Sequence, residues 1–122
     1  MHTVLVDTSV WGDHLRKGET LLQDLLSTGQ VATHPSIIGE LACGNLTNRT
    51  EVLRLLSELP LVTIASNDEV MHLIEKHDLG GKGIGWIDAH LLASALLEHI
   101  SLWTRDRKLA AVARTLGIAD SK

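Results

Sequence analysis

Twice along the chain a short apolar run gives way to an acid and then to a helical pattern. Val4-Leu5-Val6 is followed at once by Asp7, and Ile100-Ser101-Leu102-Trp103 by Thr104, Arg105 and Asp106. Apolar runs of that length read as buried strands, and the stretches after them repeat apolar residues at helical spacing. Strands that alternate with helices imply a parallel sheet covered by helices on both faces. Ligands of such sheets bind outside the carboxyl ends of the strands, so acids from different strands can converge there. This restricts the chain to the α/β class and marks one side of the sheet as the candidate site.

The rest of the chain fits the same alternation. The first strand spans Thr3 to Val6, and a short helix from Ser9 carries Trp11 and Leu15. Another helix covers Glu19 to Leu26 and stops at Gly29. Gln30 to Thr33 is a brief strand, and Ser36 is placed as the N-cap of a helix reaching Asn45, with Glu40 beside its Ile37, Leu41, Gly44 face. A helix from Asn48 or Thr50 to Leu59 ends at Pro60, and Leu61 to Ile64 reads as the third strand. Ser66 or Asn67 opens a helix to His77, with Asp68 and Glu69 suited to its positive end. The glycines in Gly80-Gly81-Lys82-Gly83-Ile84-Gly85 match neither phosphate-binding fingerprint and read as a flexible loop. Asp88 opens the next helix, whose apolar positions are Leu91, Leu92, Ala95 and Leu96. The strand Ile100 to Trp103 follows it, then a helix from Lys108 to Leu116 with Gly117 at C′, and a short edge strand at Ile118.

Size and composition narrow the function. A chain of 122 residues with 44% hydrophobic content holds one core, expected as a single domain over 1–122. Its net charge of −4 argues against gripping nucleic acid through bulk positive charge. With three Trp and no Phe or Tyr, a platform for stacking single-stranded bases is not expected, so any nucleic acid would be held mainly by its backbone and selected by its shape. The lone Cys43 reads as a small buried residue and fits a reducing, cytoplasmic setting. Neither a secretory leader nor a membrane span is expected from the apolar pattern.

Asp7, Glu40, Asp88 and Asp106 all fall at strand ends or helix openings on one side of the sheet. Each alone is an ordinary cap or solvated residue. Together they need neutralising, because two like charges ~4 Å apart repel by about 4 kcal/mol at an effective dielectric near 20. Oxygen-only donors select a hard cation, Mg²⁺ or Mn²⁺, which activates water and offsets charge on a phosphate. Zinc is disfavoured, since His72 and His77 stand five apart and no His-Glu-x-x-His or Cys-x-x-Cys pattern occurs. A Ser-His-Asp hydrolase lacks its Gly-x-Ser-x-Gly elbow. His14 and His90 read as surface or packing residues. Arg105, Arg107 and Lys108 flank Asp106 as a solvated helix start that beside a metal site would grip phosphates.

The stretches Val6-Asp7-Thr8-Ser9-Val10-Trp11, Ser36-Ile-Ile-Gly-Glu40-Leu41, Trp86-Ile-Asp88-Ala89-His-Leu-Leu-Ala93-Ser-Ala95 and Leu102-Trp-Thr104-Arg-Asp106-Arg-Lys-Leu109 resemble, in order, the PIN-domain ribonucleases, in particular the short toxins of the VapC type. The resemblance implies a three-layer α/β/α fold with a four- to five-stranded parallel sheet. It also implies Mg²⁺- or Mn²⁺-dependent cleavage of RNA, a target such as tRNA or rRNA, a homodimer and a cognate VapB-type antitoxin. Asp7, Glu40, Asp88 and Asp106 match the acidic quartet, with Asp7 and Asp88 the surest metal ligands, Thr104 the polar residue that holds the last acid or a water, and Ser9 a support for Asp7. Two rivals remain: a Mg²⁺-dependent phosphatase using Asp7 as nucleophile, and a module of the same fold that binds RNA or protein without cutting.

Overall fold

A computed structural model describes residues 2–120. Its elements run β1 (Val4–Val6), α1 (Thr8–Lys17), α2 (Thr20–Ser27), β2 (Val31–Ala32), α3 (Pro35–Ala42), α4 (Arg49–Ser57), α5 (Asn67–Lys76), α6 (Trp86–Glu98), β3 (Ser101–Trp103) and α7 (Arg107–Thr115). The three strands pair in parallel in the order β2-β1-β3. Val4, Leu5 and Val6 of the central strand are wholly buried, which requires helices on both faces. The same burial explains why the strand reads as an unbroken apolar run rather than an alternation.

Strand register is what assembles the site. Val4, Leu5 and Val6 stand opposite Ser101, Leu102 and Trp103, so β1 and β3 end level with one another. The ladder runs one step further, with the Asp7 N–H donating to the Trp103 carbonyl at 2.9 Å. Asp7 and Thr104 therefore leave the sheet side by side. On the other flank Val4 pairs with Val31 and Leu5 with Ala32, and the same register continued brings the start of α3 alongside Asp7.

The sheet is narrower than the four to five strands expected. Leu61 makes a single parallel bridge to Thr33, and Ala119 makes one to Leu102, so the outer positions are occupied without becoming strands. At the first edge the partner strand runs out. After the Thr33–Leu61 bridge the next rung falls at Pro35, which has no N–H and already opens α3, while the Thr63 N–H points away from β2 to the Glu98 carboxylate at 2.7 Å. The other outer position falls at Ala119 rather than Ile118, whose carbonyl accepts from the Leu102 N–H at 2.7 Å.

Two helix readings also shift. The N-cap of α3 is His34, not Ser36: its Nδ1 accepts from the Ser36 N–H at 3.0 Å, and Pro35 fills the first helical position, where no donor is needed. The helix closes at Ala42, short of Asn45, and Cys43 behind it is exposed, not buried, because the chain turns outward there. Elsewhere the reading holds. Ser66 caps α5 by accepting from the Glu69 N–H at 3.1 Å, while Glu69 returns a bond to the Ser66 N–H at 2.8 Å. No helix among the described residues is long and apolar enough to cross a membrane.

Candidate active site

Asp7 occupies the N-cap position of α1 yet makes no side-chain bond to the helix backbone. Two hydroxyls hold it instead. Ser9 Oγ and Thr104 Oγ1 each donate to Asp7 Oδ2 at 2.8 Å. Each hydroxyl has one proton and spends it there, so the 3.3 Å approach between the two oxygens carries no proton of its own. Each is oriented from behind by a backbone donor, Arg105 N–H to Ser9 Oγ at 3.0 Å and Asp106 N–H to Thr104 Oγ1 at 3.1 Å. Asp7 as a residue is only 6% exposed, and with Oδ2 taking two hydroxyls, Oδ1 has a long 3.4 Å contact from the Thr8 hydroxyl. A buried carboxylate held on one oxygen leaves the other as the free acceptor.

The other acids approach from three different elements. Asp88 lies in the first turn of α6, its Oδ2 accepting from the Gly85 N–H at 3.1 Å. Asp106 is the N-cap of α7, its Oδ1 accepting from the Lys108 and Leu109 N–H groups at 2.9 and 3.1 Å. Glu40 is exposed near the end of α3. All four acids line one open cleft of about 570 Å³, together with Thr8, Ser9, Gly85, Trp86 and Ile87.

Burial first, and mutual repulsion after it, raise two of the four acids. Partial burial, then the charges of Asp7 and Asp88, pushes the Glu40 carboxyl above its ordinary value. Burial also raises Asp88; the Gly85 N–H works against this, and the charges of Asp7 and Asp106 add to it. Glu40 thus feels Asp7 and Asp88, and Asp88 feels Asp7 and Asp106. The donor set suits a hard cation, since the lining offers carboxylate and hydroxyl oxygens and neither imidazole nor thiol. Among the described residues no three acids, His or Cys stand close enough to hold a metal ion between them, so an ion here would rest on one or two carboxylates and on water. An open oxygen set fits Mg²⁺, which keeps several waters and takes one or two carboxylates.

The basic residues divide. Arg105 does not face the cleft: its guanidinium bonds Asp13 at 2.6 Å and also pairs with Glu19, and it lies over the Trp103 ring at 5.7 Å. It ties the loop after β3 to α1 and to the start of α2, which removes it from the phosphate-gripping set. Arg107 and Lys108 are exposed on the first turn of α7 beside Asp106. Lys108 lies against Gly83, where an added Cβ would collide with its side chain, and Gly83 itself has φ +82°. Within the glycine run it is this positive φ at Gly83, and at Gly81 (φ +77°), that favours glycine, since the far end of a lysine side chain can move aside.

Trp86, Ile87 and Thr8 are the cleft residues that the sequence pattern did not single out. Thr8 and Trp86 stand next to or two before an acid, which is the one signal they carry. The histidines stay out of the lining. His14 Nδ1 accepts from the Glu19 N–H at 3.1 Å, and His90 packs edge-to-face on Trp86. A separate apolar hollow of about 390 Å³ between α1, α2 and α4 holds a single acid, Glu58, and none of the quartet.

The PIN domain family profile matches residues 4–115. Ribonuclease VapC32 of Mycobacterium tuberculosis (strain CDC 1551 / Oshkosh) is 43% identical over 117 residues, covering 95% of this chain and 94% of that one. PAE2754 from Pyrobaculum aerophilum superposes with a TM-score of 0.68 at 19% identity, over 94% of this chain and 92% of that one. A toxin-antitoxin complex from Klebsiella pneumoniae gives 0.67 at 20% identity, over 90% and 92%. By family match and by identity over nearly its whole length, the chain belongs to the PIN domain family.

Proposed function

We propose that the chain is a Mg²⁺- or Mn²⁺-dependent endoribonuclease and the toxin of a toxin and antitoxin pair, acting in the cytoplasm as a single domain. The observation that carries the reading is the cleft in which four carboxylates from four elements converge, with no cationic side chain among the described residues that line it. The 43% identical relative named as a ribonuclease supports the chemistry, and the shared fold of the toxin-antitoxin complex supports the biological setting.

Asp7 and Asp88, with Asp106, would hold the ion, and Glu40 would complete its shell or orient the attacking water. When bound, the ion would supply a more acidic water and offset the charge of the scissile phosphate. Ser9 and Thr104 fix Asp7 so that its second oxygen faces the cleft. The Gly85 N–H fixes Asp88, and the turn of α7 fixes Asp106. Hydrolysis adds one water across one P–O bond: the water oxygen ends on phosphorus and the leaving oxygen departs with a proton. Arg107 and Lys108 would meet neighbouring phosphates. The RNA is tRNA or rRNA, a VapB-type antitoxin covers the cleft, and two copies pair through exposed apolar positions such as Leu55 and Met71, which are 50% and 48% exposed.

The test is incubation of the purified chain with total bacterial RNA in Mg²⁺, in Mn²⁺ and in EDTA, with Asp7→Ala alongside. Discrete fragments that need metal and vanish in the variant support the reading. Intact RNA with a folded, metal-binding protein favours the non-cleaving module, and a covalent phosphoaspartate favours the phosphatase.

A further inference from the structure

The chain has three aromatic residues of the Phe, Tyr and Trp kinds, all tryptophan. Trp11 and Trp103 are buried at 5% and 2% exposure, whereas Trp86 is 45% exposed and lines the acidic cleft, two residues before Asp88. An indole left in water at a polar cleft forfeits the burial that most tryptophans gain, so its position calls for a ligand with a flat apolar face. Its orientation is fixed from one side. The His90 ring meets it edge-to-face, with centroids 4.8 Å apart and planes at 82°. That contact occupies at most one indole face. Ile87, 40% exposed, extends the apolar rim beside it. The cleft thus offers carboxylates for an ion and a phosphate and, adjoining them, a single flat aromatic surface.

We infer that Trp86 is a nucleobase platform, on which one base next to the scissile phosphate stacks while the acids engage the backbone. This rests on the ribonuclease reading and deepens it, because it makes the position beside the cut an unpaired nucleotide. It also revises the expectation that so few aromatics leave selectivity to RNA shape alone. Double-stranded RNA keeps its bases stacked on each other and has no face to offer, so the platform selects loops and single-stranded ends. Stacking tolerates any base but requires one to be present.

The test uses the full chain and an RNA that the wild type has been shown to cut, with KM and kcat measured separately for Trp86→Phe, Trp86→Leu and Trp86→Ala. Phe keeps a flat ring and should stay within about threefold of wild type. Leu and Ala should raise KM about tenfold or more, with kcat changed less. Removing the base beside the cut should penalise the wild type by a similar factor and Trp86→Ala hardly at all, since the two changes delete the same contact. Because the other two indoles are buried, quenching of tryptophan fluorescence on adding the RNA, absent in Trp86→Phe, reports the stacking directly. Leu performing as well as Phe, or additive losses from the variant and the abasic substrate, would overturn the proposal. So would a Trp86→Ala protein that cuts RNA normally but loses its grip on a protein partner, which would assign the ring to that partner. If the folded wild type cuts no RNA, the ribonuclease reading fails, a result distinct from all of these.

Discussion

Thr104→Val removes one hydroxyl and keeps the shape of the side chain. It deletes the 2.8 Å bond to Asp7 Oδ2, and it leaves the Asp106 N–H without its side-chain acceptor. The second loss is small, since Asp106 is exposed and water can replace that acceptor. The first is not, because Asp7 is 6% exposed and has few waters to turn to. A hydrogen bond to a charged group contributes about 1.5–3 kcal/mol, so the metal-free protein should lose about 2 kcal/mol. For a chain of this size that lowers Tm by about 8 °C. Groups that orient a metal ligand typically matter by about 10–100-fold in metal affinity or activity, so Mg²⁺-dependent cleavage should fall by at least about tenfold. Thr104→Ser keeps the donor and should restore most of both. Ser9→Ala removes the other donor to the same oxygen. The double variant should therefore lose more than the sum of the singles, because the buried oxygen then has no donor left. Thermal melting in EDTA and a Mg²⁺ titration of cleavage read the two effects. An unchanged Tm in Thr104→Val, or strictly additive losses in the double variant, would show that these hydroxyls do not hold Asp7.

Three further outcomes are expected. Folding raises the Glu40 and Asp88 carboxyls, so the native state binds their protons more tightly than the unfolded chain. Their penalty is full at neutral pH and fades as the pH falls into the ordinary carboxylate range; Glu40→Gln should accordingly raise the metal-free Tm near neutrality, with the gain vanishing in acid. Arg105→Ala should lower Tm, less so at high salt, and leave the salt dependence of RNA binding intact, whereas alanine at both Arg107 and Lys108 should spare Tm and reduce that salt slope by up to about 1.4. Gly83→Ala forces a side chain into the left-handed region and against Lys108, so it should lower Tm by an amount matching about 1–2 kcal/mol or more, where Gly80→Ala, with open space and no positive φ, should cost less.

The parts of the fold legible in the sequence are those decided locally. Val4-Leu5-Val6 reads as a strand because all three side chains are buried, and Asp7 reads as a site residue because it ends that strand. Asp88 and Asp106 are legible for the same reason, each sitting where a helix begins. What the sequence hides is set by distant partners. Leu61 to Ile64 has the composition of a strand, but its neighbour β2, about thirty positions earlier, turns into α3 at Pro35, which has no N–H to offer the next rung. Arg105 looks like a phosphate ligand until Asp13 and Glu19, from ninety-two and eighty-six positions earlier, claim its guanidinium. Ser36 looks like a cap because it is the usual residue type, yet the imidazole two residues before it supplies the acceptor. The exposure of Trp86 has no local signal either, since a tryptophan in the first turn of a largely buried helix would ordinarily be assigned to the core.

The most direct test of a water-attacking nuclease is the chemistry of the cut end. Cleavage should be run in ¹⁸O-labelled water with Mg²⁺, using wild type and Asp88→Asn of matched Tm, on a substrate whose nucleotide 5′ to the cut is either ribose or 2′-deoxyribose. The expected result is one ¹⁸O atom in the new terminal phosphate, cleavage of both substrates by the wild type, and loss of both in Asp88→Asn and in EDTA. A 2′,3′-cyclic phosphate, cleavage that requires the 2′-hydroxyl, or full activity in Asp88→Asn would contradict it.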